Sequence, residues 1–225
     1  MTPDDRPDDN APDHTADDPA APGFGPGSVE VLGSELRHKG FFTVREVRLR
    51  HRLFRGGWSR PFTRELFDRG HAVAVLLYDP DRDAVVLVEQ FRIGTVNTAG
   101  PHWLLEVVAG IVDTDETPEA VAVREAKEEA GRDVTALEWI CDYYPSPGGC
   151  SETIGLYCGR VDSAGAGGVH GLADEHEDIR VRVMPADAAI AMLDRGALDN
   201  AAIIIALHWL ARNRERLRAA WRGAA

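Results

Sequence analysis

Two runs of apolar, mostly β-branched residues restrict the fold of this chain more than any other feature. The first run is HAVAVLLYD at residues 71–79, the second is AVVLVEQF at 84–91, and the turn-forming segment PDRD at 80–83 separates them. Runs of this length and composition on either side of such a turn predict a β-hairpin. The chain is therefore expected to fold around a β-sheet.

Weaker patterns on both sides of this hairpin predict further strands and the helices. Residues 29–53 alternate and are rich in Val, Phe and Arg, which predicts two or three antiparallel strands with one solvated face. The order of strands, one helix, more strands and then helices predicts an α+β fold, with α/β/α layers around a mixed or mostly antiparallel sheet. The remaining predicted elements are strands at 103–108, 136–144, 153–159 and 178–183, and helices at 117–131, 186–195 and 201–221.

The charge of the chain argues against a nucleic-acid partner. Among 225 residues, 37 acidic and 25 basic side chains give a formal net charge of −12 and a pI near 5.1. Binding to nucleic acid gains affinity when clustered Lys and Arg side chains release counterions from the phosphates, and a chain this acidic lacks that contribution. A small phosphorylated substrate remains compatible with this composition.

Three further features predict a cytoplasmic protein without a membrane partner. The longest apolar run, residues 201–207, is much shorter than the roughly 20 residues that a membrane-spanning helix needs. The first ten residues are acidic and contain prolines, unlike a secretory signal. The cysteines Cys141, Cys150 and Cys158 are an odd number without zinc-like spacing, which favours reduced thiols.

Residues 1–27 differ in composition from the rest of the chain. They contain seven aspartates, one arginine, six of the 13 prolines and a single aromatic residue, Phe24, so their net charge is −6. A segment with so little apolar surface cannot offset the entropy that ordering would remove. We predict a disordered acidic tail, for which a solubility role or no role is favoured over binding to a partner.

Three glutamates lie close together on the helix predicted after residue 117. At about 100° per residue, Glu125, Glu128 and Glu129 fall within roughly a third of the helix circumference. Like charges at this spacing repel, and a hard divalent cation such as Mg²⁺, which takes oxygen ligands, would compensate the repulsion. The alternative is a solvated acidic face that Arg124 and Lys127 partly neutralise.

The surrounding segment resembles the signature of the Nudix hydrolase family, G-x5-E-x7-R-E-U-x-E-E-x-G-U, in which U is apolar. Arg132 stands where the last apolar residue of the signature is expected, which concerns the exit of the helix rather than the chemistry. The resemblance implies an α/β/α sandwich that hydrolyses a nucleoside diphosphate linked to another group. The matching residues are Gly110, Glu116, Arg124, Glu125, Glu128, Glu129 and Gly131.

The resemblance also assigns roles within this segment. It implies Glu125 and Glu129 as the principal ligands of Mg²⁺, or of Mn²⁺ as a substitute, with Glu128 as an auxiliary ligand. The backbone carbonyl of Ala109 is the expected further ligand. Arg124 is expected to orient the glutamates through charge-assisted hydrogen bonds, so Arg124 and Glu128 are placed with the catalytic group.

Four segments outside the signature are similar to the ADP-ribose pyrophosphatase branch of the Nudix family. The likeness covers roughly residues 30–221. In the alternative interpretation these segments are ordinary strands, turns and loops, but four of them occur in the expected order. They are VLVEQFRIG with WLLEVVAG (86–94 and 103–110), SPGGCSE (146–152), HGLADEHEDIRV (170–181) and DNAAIIIALHWL (199–210).

The acidic segment at residues 174–178 has a mechanistic interpretation. Hydrolysis of a pyrophosphate needs a base within reach of the attacking water, and the glutamates of the signature are already assigned to metal. The resemblance makes Glu175 the candidate base, on a loop that closes over the substrate, and Glu177 a further metal ligand. A solvated surface loop is the alternative.

The same branch implies contacts to the substrate. Arg92 matches a phosphate-binding position, and Glu152 is expected near the terminal ribose. Phe41 and Arg64 match positions that contact the nucleotide from the partner subunit of a homodimer whose N-terminal strands are exchanged. The alternatives are two surface arginines and a phenylalanine in the core.

These expectations describe a Mg²⁺-dependent homodimer that hydrolyses ADP-ribose to AMP and ribose 5-phosphate. The rival within the family is a pyrophosphatase for GDP-mannose or a UDP-sugar, and the rival outside catalysis is a nucleotide-sugar sensor that keeps the Nudix fold. Cleavage of capped RNA meets the electrostatic objection raised above. The predicted parts of the chain are the tail at 1–27, an N-terminal β dimerisation segment at 28–66 and the Nudix domain at 67–225.

Overall fold

The computed structural model describes residues 23–112 and 115–223, apart from the side chain of Glu175. Most of the predicted tail, residues 1–22, lies outside the described residues. The chain divides into two units, with the boundary between Asp68 and Arg69. Each unit is described by itself, and the domain limits given above stay predictions.

The first unit is a three-stranded antiparallel sheet in the order β1-β2-β3. Val29 pairs with His51 across the first two strands, and Leu49 pairs with Phe62 across the second two. None of the strand residues is buried, although several are large and apolar. The strands are β1 (Val29–Lys39), β2 (Thr43–His51) and β3 (Phe62–Asp68), preceded by a short 3-10 turn at Pro26–Ser28.

The second unit is a mixed sheet between helices, in the strand order β10-β11-β5-β4-β9-β8. Its neighbouring strands are antiparallel except for the parallel pair β4 and β9. Its elements are β4 (Ala72–Asp79), β5 (Ala84–Phe91), β6 (Trp103–Glu106), β7 (Val108–Ile111), α1 (Pro118–Ala130), β8 (Ala136–Tyr143), β9 (Ile154–Arg160), β10 (Val169–His170), β11 (Ile179–Pro185), α2 (Ala186–Asp194) and α3 (Ala201–Trp221).

The two faces of this sheet carry separate apolar cores. Val86 and Val88 of β5 belong to the core that α1 covers, whereas Val85 and Leu87 belong to the core that α2 and α3 cover. Such alternation is what a strand buried on both faces requires. The predicted α+β class with an α/β/α layer arrangement is confirmed.

The two strands of the β4–β5 hairpin separate beyond their first three residue pairs, and this separation makes room for other strands at the centre of the sheet. The two strands pair only from Asp79 and Ala84 to Leu77 and Val86. Residues 103–111 then fill the gap, with β6 paired to β5 and β7 paired to β4. The prediction of a single strand at 103–108 is therefore wrong, because the segment changes partner strands around the buried Val107.

Helix α1 begins and ends as the sequence predicts. Thr117 caps the first turn by accepting a hydrogen bond from the Ala120 N–H, with 3.3 Å between the two heavy atoms. Gly131 ends the helix with a left-handed φ of 63°. The unusual Arg132 holds this exit by donating from its guanidinium to the carbonyl oxygens of Asp162 and Ala164.

Across residues 23–112 and 115–223, no helix combines the length and the apolarity that crossing a membrane requires.

Candidate active site

Glu129 lies in the interior, against the backbone of β7. Its side chain accepts a hydrogen bond from the Ala109 N–H, at 3.2 Å between Ala109 N and Glu129 Oε2, and the residue is 2% exposed. Burial raises the pKa of Glu129 to about 8, and the charges of Glu125 and Glu177 act in the same direction. A carboxylate held in this setting gains stability from a cation beside it.

The geometry of β7 turns a backbone carbonyl toward the same place. In an antiparallel ladder the N–H and C=O of one residue point to the same edge of the strand. Because the Ala109 N–H points to Glu129, its carbonyl oxygen points to that edge as well, away from β4. The carbonyl oxygen of Ala109, a predicted metal ligand, thus lies beside Glu129, which is also a predicted metal ligand.

Glu125 occupies the space that a side chain at position 110 would need. A Cβ built on Gly110 would lie 2.0 Å from Glu125 Oε1, far inside van der Waals contact. The Glu125 side chain is 14% exposed, and burial raises its pKa to about 7 although the charge of Arg124 lowers it. The glycine of the signature is thus required by close approach and not by its backbone angles.

Arg124 bridges three other residues of the signature. Its Nη1 donates to Glu128 Oε2 at 2.8 Å and lies 3.0 Å from Glu125 Oε1. Its Nε and Nη2 donate to the two oxygens of Glu116, each at 3.2 Å. These hydrogen bonds and charges hold the pKa of Arg124 well above its usual range. Such contacts fix the rotamers of Glu125 and Glu128.

The oxygen atoms that could bind a metal here fit a hard divalent cation. They are the carboxylates of Glu125 and Glu129 and the carbonyl of Ala109, and Mg²⁺ prefers oxygen ligands of this kind. Among the described side chains, no three of Asp, Glu, His and Cys form a ready-made cation site. Mg²⁺ commonly uses a few carboxylates together with water and substrate phosphate oxygens, so an incomplete protein cage is compatible with it.

The acidic segment contributes a charge that acts on the same site. Glu177 Oε2 accepts a hydrogen bond from the Leu172 N–H at 3.0 Å, and the charge of Glu177 raises the pKa values of Glu125 and Glu129. Glu175 ends a 3-10 turn at Ala173–Glu175, but its side chain is outside the described part of the structure. Its role as the base therefore stays a prediction.

Arg92 lies at this site in a network that the sequence did not reveal. Its Nε and Nη2 donate to Glu106 Oε2 at 2.9 and 2.7 Å. Glu106 is 3% exposed, and its Oε1 accepts from Asn200 Nδ2 at 2.8 Å. Burial would lower the pKa of Arg92, but Glu106, Glu129 and Glu177 raise it. A glutamate inside the apolar run WLLEVV was the available signal for this network.

The other predicted substrate contacts have neighbours of their own. Glu152 is buried and pairs with Arg69, at 3.4 Å between Arg69 Nη1 and Glu152 Oε2. Phe41 and Arg64 belong to the first unit, where Phe41 is 85% exposed and Arg64 lies over the ring of Phe62. The alternative interpretation of Phe41 as a core residue is wrong. Roles for Glu152, Phe41 and Arg64 stay predictions.

Comparison with known proteins gives a consistent result. The NUDIX domain family matches residues 68–207. The chain is 46% identical over 198 residues to the ADP-ribose pyrophosphatase of Escherichia coli strain K12, covering 88% of this chain and 95% of that protein. It is 45% identical over 202 residues to the ADP-ribose pyrophosphatase of Haemophilus influenzae, covering 88% and 93%.

Two further matches are more distant. The GDP-mannose pyrophosphatase of Cronobacter sakazakii is 35% identical over 188 residues, covering 81% of this chain and 95% of that protein. A crystal structure described as an ADP compounds hydrolase superposes with a TM-score of 0.64 at 22% identity, covering 87% of this chain and 97% of that one. The structural match supports the fold alone.

Proposed function

The chain belongs to the Nudix family, and we propose that it is a metal-dependent hydrolase that cleaves ADP-ribose to AMP and ribose 5-phosphate. The observation that carries this proposal is the convergence of Glu125 and Glu129 on the Ala109–Gly110 backbone, with Arg92 in the same electrostatic environment. The curated ADP-ribose pyrophosphatases are more similar to this chain than the curated GDP-mannose pyrophosphatases, which favours the adenine substrate.

The reaction adds water across the diphosphate. Bound Mg²⁺, or Mn²⁺ in its place, would neutralise the diphosphate charge and acidify a water molecule. Glu125, Glu129 and the Ala109 carbonyl would hold the metal, with Glu128 and Glu177 as further ligands. Arg124 keeps the glutamates in place.

The remaining roles are assigned to Arg92, Glu152 and Glu175. Arg92 binds a phosphate oxygen, and Glu152 is assigned to the terminal ribose. The carboxylate of Glu175 takes the proton of the attacking water as the water oxygen bonds to phosphorus. The P–O bond to the second phosphate breaks, and the two monophosphates leave.

The first experiment compares substrates at equal concentrations. We expect purified protein with Mg²⁺ to release AMP from ADP-ribose at least about tenfold faster than GMP from GDP-mannose or UMP from a UDP-sugar. EDTA should abolish turnover, and added Mg²⁺ should restore it. Faster release of GMP or UMP would transfer the proposal to that substrate. Tight binding without turnover would favour the non-catalytic sensor.

A homodimer built on the first unit is part of the proposal. A three-stranded sheet without a buried residue needs a covering partner to be stable, and Val31, Leu36 and Phe41 are 62%, 46% and 85% exposed. In such a dimer Phe41 and Arg64 would reach the nucleotide of the partner subunit. Light scattering should give twice the 24.6 kDa of one chain, and Leu36→Asp should lower that mass. A wild-type monomer would contradict the dimer.

The proposed setting is the cytoplasm, without a nucleic-acid or membrane partner. Cys141, Cys150 and Cys158 are an odd number without zinc-like spacing, which favours reduced thiols. The net charge of −12 disfavours phosphate backbones as partners. The division into a tail at 1–27, a dimerisation segment at 28–66 and a catalytic domain at 67–225 belongs to the same proposal.

A further inference from the structure

Gln90 is a buried side chain with an unused hydrogen-bond donor. It lies near the end of β5, opposite Leu104 of β6, and is 7% exposed. Among the described residues, its Nε2 has no hydrogen-bond partner although the atom itself is buried. Native proteins pair nearly all buried amide groups, so an unpaired amide of this kind calls for an explanation.

The position of Gln90 on β5 tells which way it points. Side chains alternate along a strand, and Val86 and Val88 pack in the core that α1 covers. Gln90 is next on that face, and Arg92 follows it. Helix α1, which carries Glu125 and Glu129, packs against β5, and Arg92 donates to Glu106, which pairs with Val88 across β6 and β5. The end of this face therefore lies toward the glutamates, whose charges help to raise the pKa of Arg92.

The environment indicates what kind of group would pair with the amide. Nε2 can only donate, so its partner must be an acceptor. The nearby ionised groups are mainly carboxylates, and the guanidinium of Arg92 already gives Nε and Nη2 to Glu106. A neutral donor beside an arginine suits the oxygens of a phosphate, because the amide adds a hydrogen bond to an anion whose charge the arginine balances.

We propose that the side-chain amide of Gln90 donates a hydrogen bond to the diphosphate of the bound nucleotide sugar, next to Arg92. This proposal rests on the proposed function only in requiring a nucleotide sugar as the substrate. It does not depend on which nucleotide sugar binds, because all the candidates contain the diphosphate. The free protein keeps the donor buried and unpaired. A change of the Gln90 rotamer on substrate binding brings the amide to the missing acceptor, so part of the binding energy comes from a group that was unsatisfied before.

The test replaces Gln90 with methionine, which has a similar shape and no donor. We expect kcat/KM for ADP-ribose to fall by about 10- to 100-fold, the size of a lost hydrogen bond to a charged group. The melting temperature should stay the same or rise, because the substitution removes an unpaired polar group from the interior. The matched control is Leu104→Met, at the paired position on β6, which should keep kcat/KM within about twofold.

Two outcomes would overturn the proposal. An unchanged kcat/KM in the Gln90→Met protein would show that the amide does not contact substrate. A fall in melting temperature of several degrees, with a matching loss of activity, would mean that Gln90 supports the fold instead. A metal-free measurement, the stabilisation of each protein by ADP-ribose in EDTA, should be weaker for the variant than for wild type.

Failure of the proposed substrate can be distinguished from failure of this inference. If the wild-type protein cleaves GDP-mannose and not ADP-ribose, the same comparison of Gln90→Met with Leu104→Met is made with GDP-mannose. A selective loss of kcat/KM in Gln90→Met would then support the contact with the diphosphate, and only the nucleobase assigned to the substrate would change.

Discussion

Replacement of Gly110 by alanine is expected to reduce kcat/KM for ADP-ribose by about 100-fold or more, the cost of displacing a catalytic group by about 1 Å. The added Cβ would meet Glu125 at three atoms, with Oε1, Cδ and Cγ at 2.0, 2.3 and 2.4 Å. Gly110 is held by its pairing with Val73 in β4, so the glutamate has to move. The displaced carboxylate would leave the place beside Ala109 where the metal is proposed to bind.

The measurement is steady-state kinetics over a range of Mg²⁺ concentrations. The alanine variant should need more Mg²⁺ for half-maximal activity while keeping its circular dichroism spectrum. Gly27→Ala is the matched control, because its Cβ would meet nothing within 4 Å. Activity within about threefold of wild type in Gly110→Ala would disprove the close contact with Glu125 as the reason for this glycine.

Replacement of Glu175 by glutamine should lower kcat by about 10²- to 10⁴-fold, as expected when a positioned general base is lost. Glutamine keeps the size of the side chain but cannot take the proton of the attacking water. Because the proposal gives this residue a role only in the chemical step, KM should change little.

The control for this variant is Asp174→Asn in the same turn, where the side chain is exposed. It removes one negative charge from the loop, as Glu175→Gln does, and should leave kcat within about threefold. Rapid turnover by Glu175→Gln would exclude this residue as the base. Equal losses in both variants would indicate that the charge of the loop matters, rather than a particular proton acceptor.

The sequence predicted the local elements of this fold well, because their signals are local. Thr117, Pro118 and Gly131 mark the ends of α1 through capping, a preset backbone angle and a left-handed residue. The hairpin of β4 and β5 follows from two apolar runs and a four-residue turn. The glutamates of α1 share a face because of the helical repeat alone.

Relations between distant segments could not be predicted in the same way. The change of partner strand at Val107 depends on where β4 and β5 separate, which no single segment encodes. The contacts of Arg92 with Glu106, and of Glu106 with Asn200, join residues 14 and 94 positions apart in the chain. In the sequence Gln90 is an ordinary strand residue, and only the structure shows that its buried Nε2 has no hydrogen-bond partner among the described residues.

The separation of β4 and β5 also determines which strand edge is left unpaired, and therefore where the chain could aggregate. In the part of the chain that the structure describes, β7 pairs only with β4, and a bare strand edge invites pairing with a strand of another molecule. Here the Ala109 N–H on the second edge is taken by Glu129, and α1 lies against the strand. Glu129, which we propose as a metal ligand, thereby also occupies this edge and opposes its pairing with a strand of a second chain.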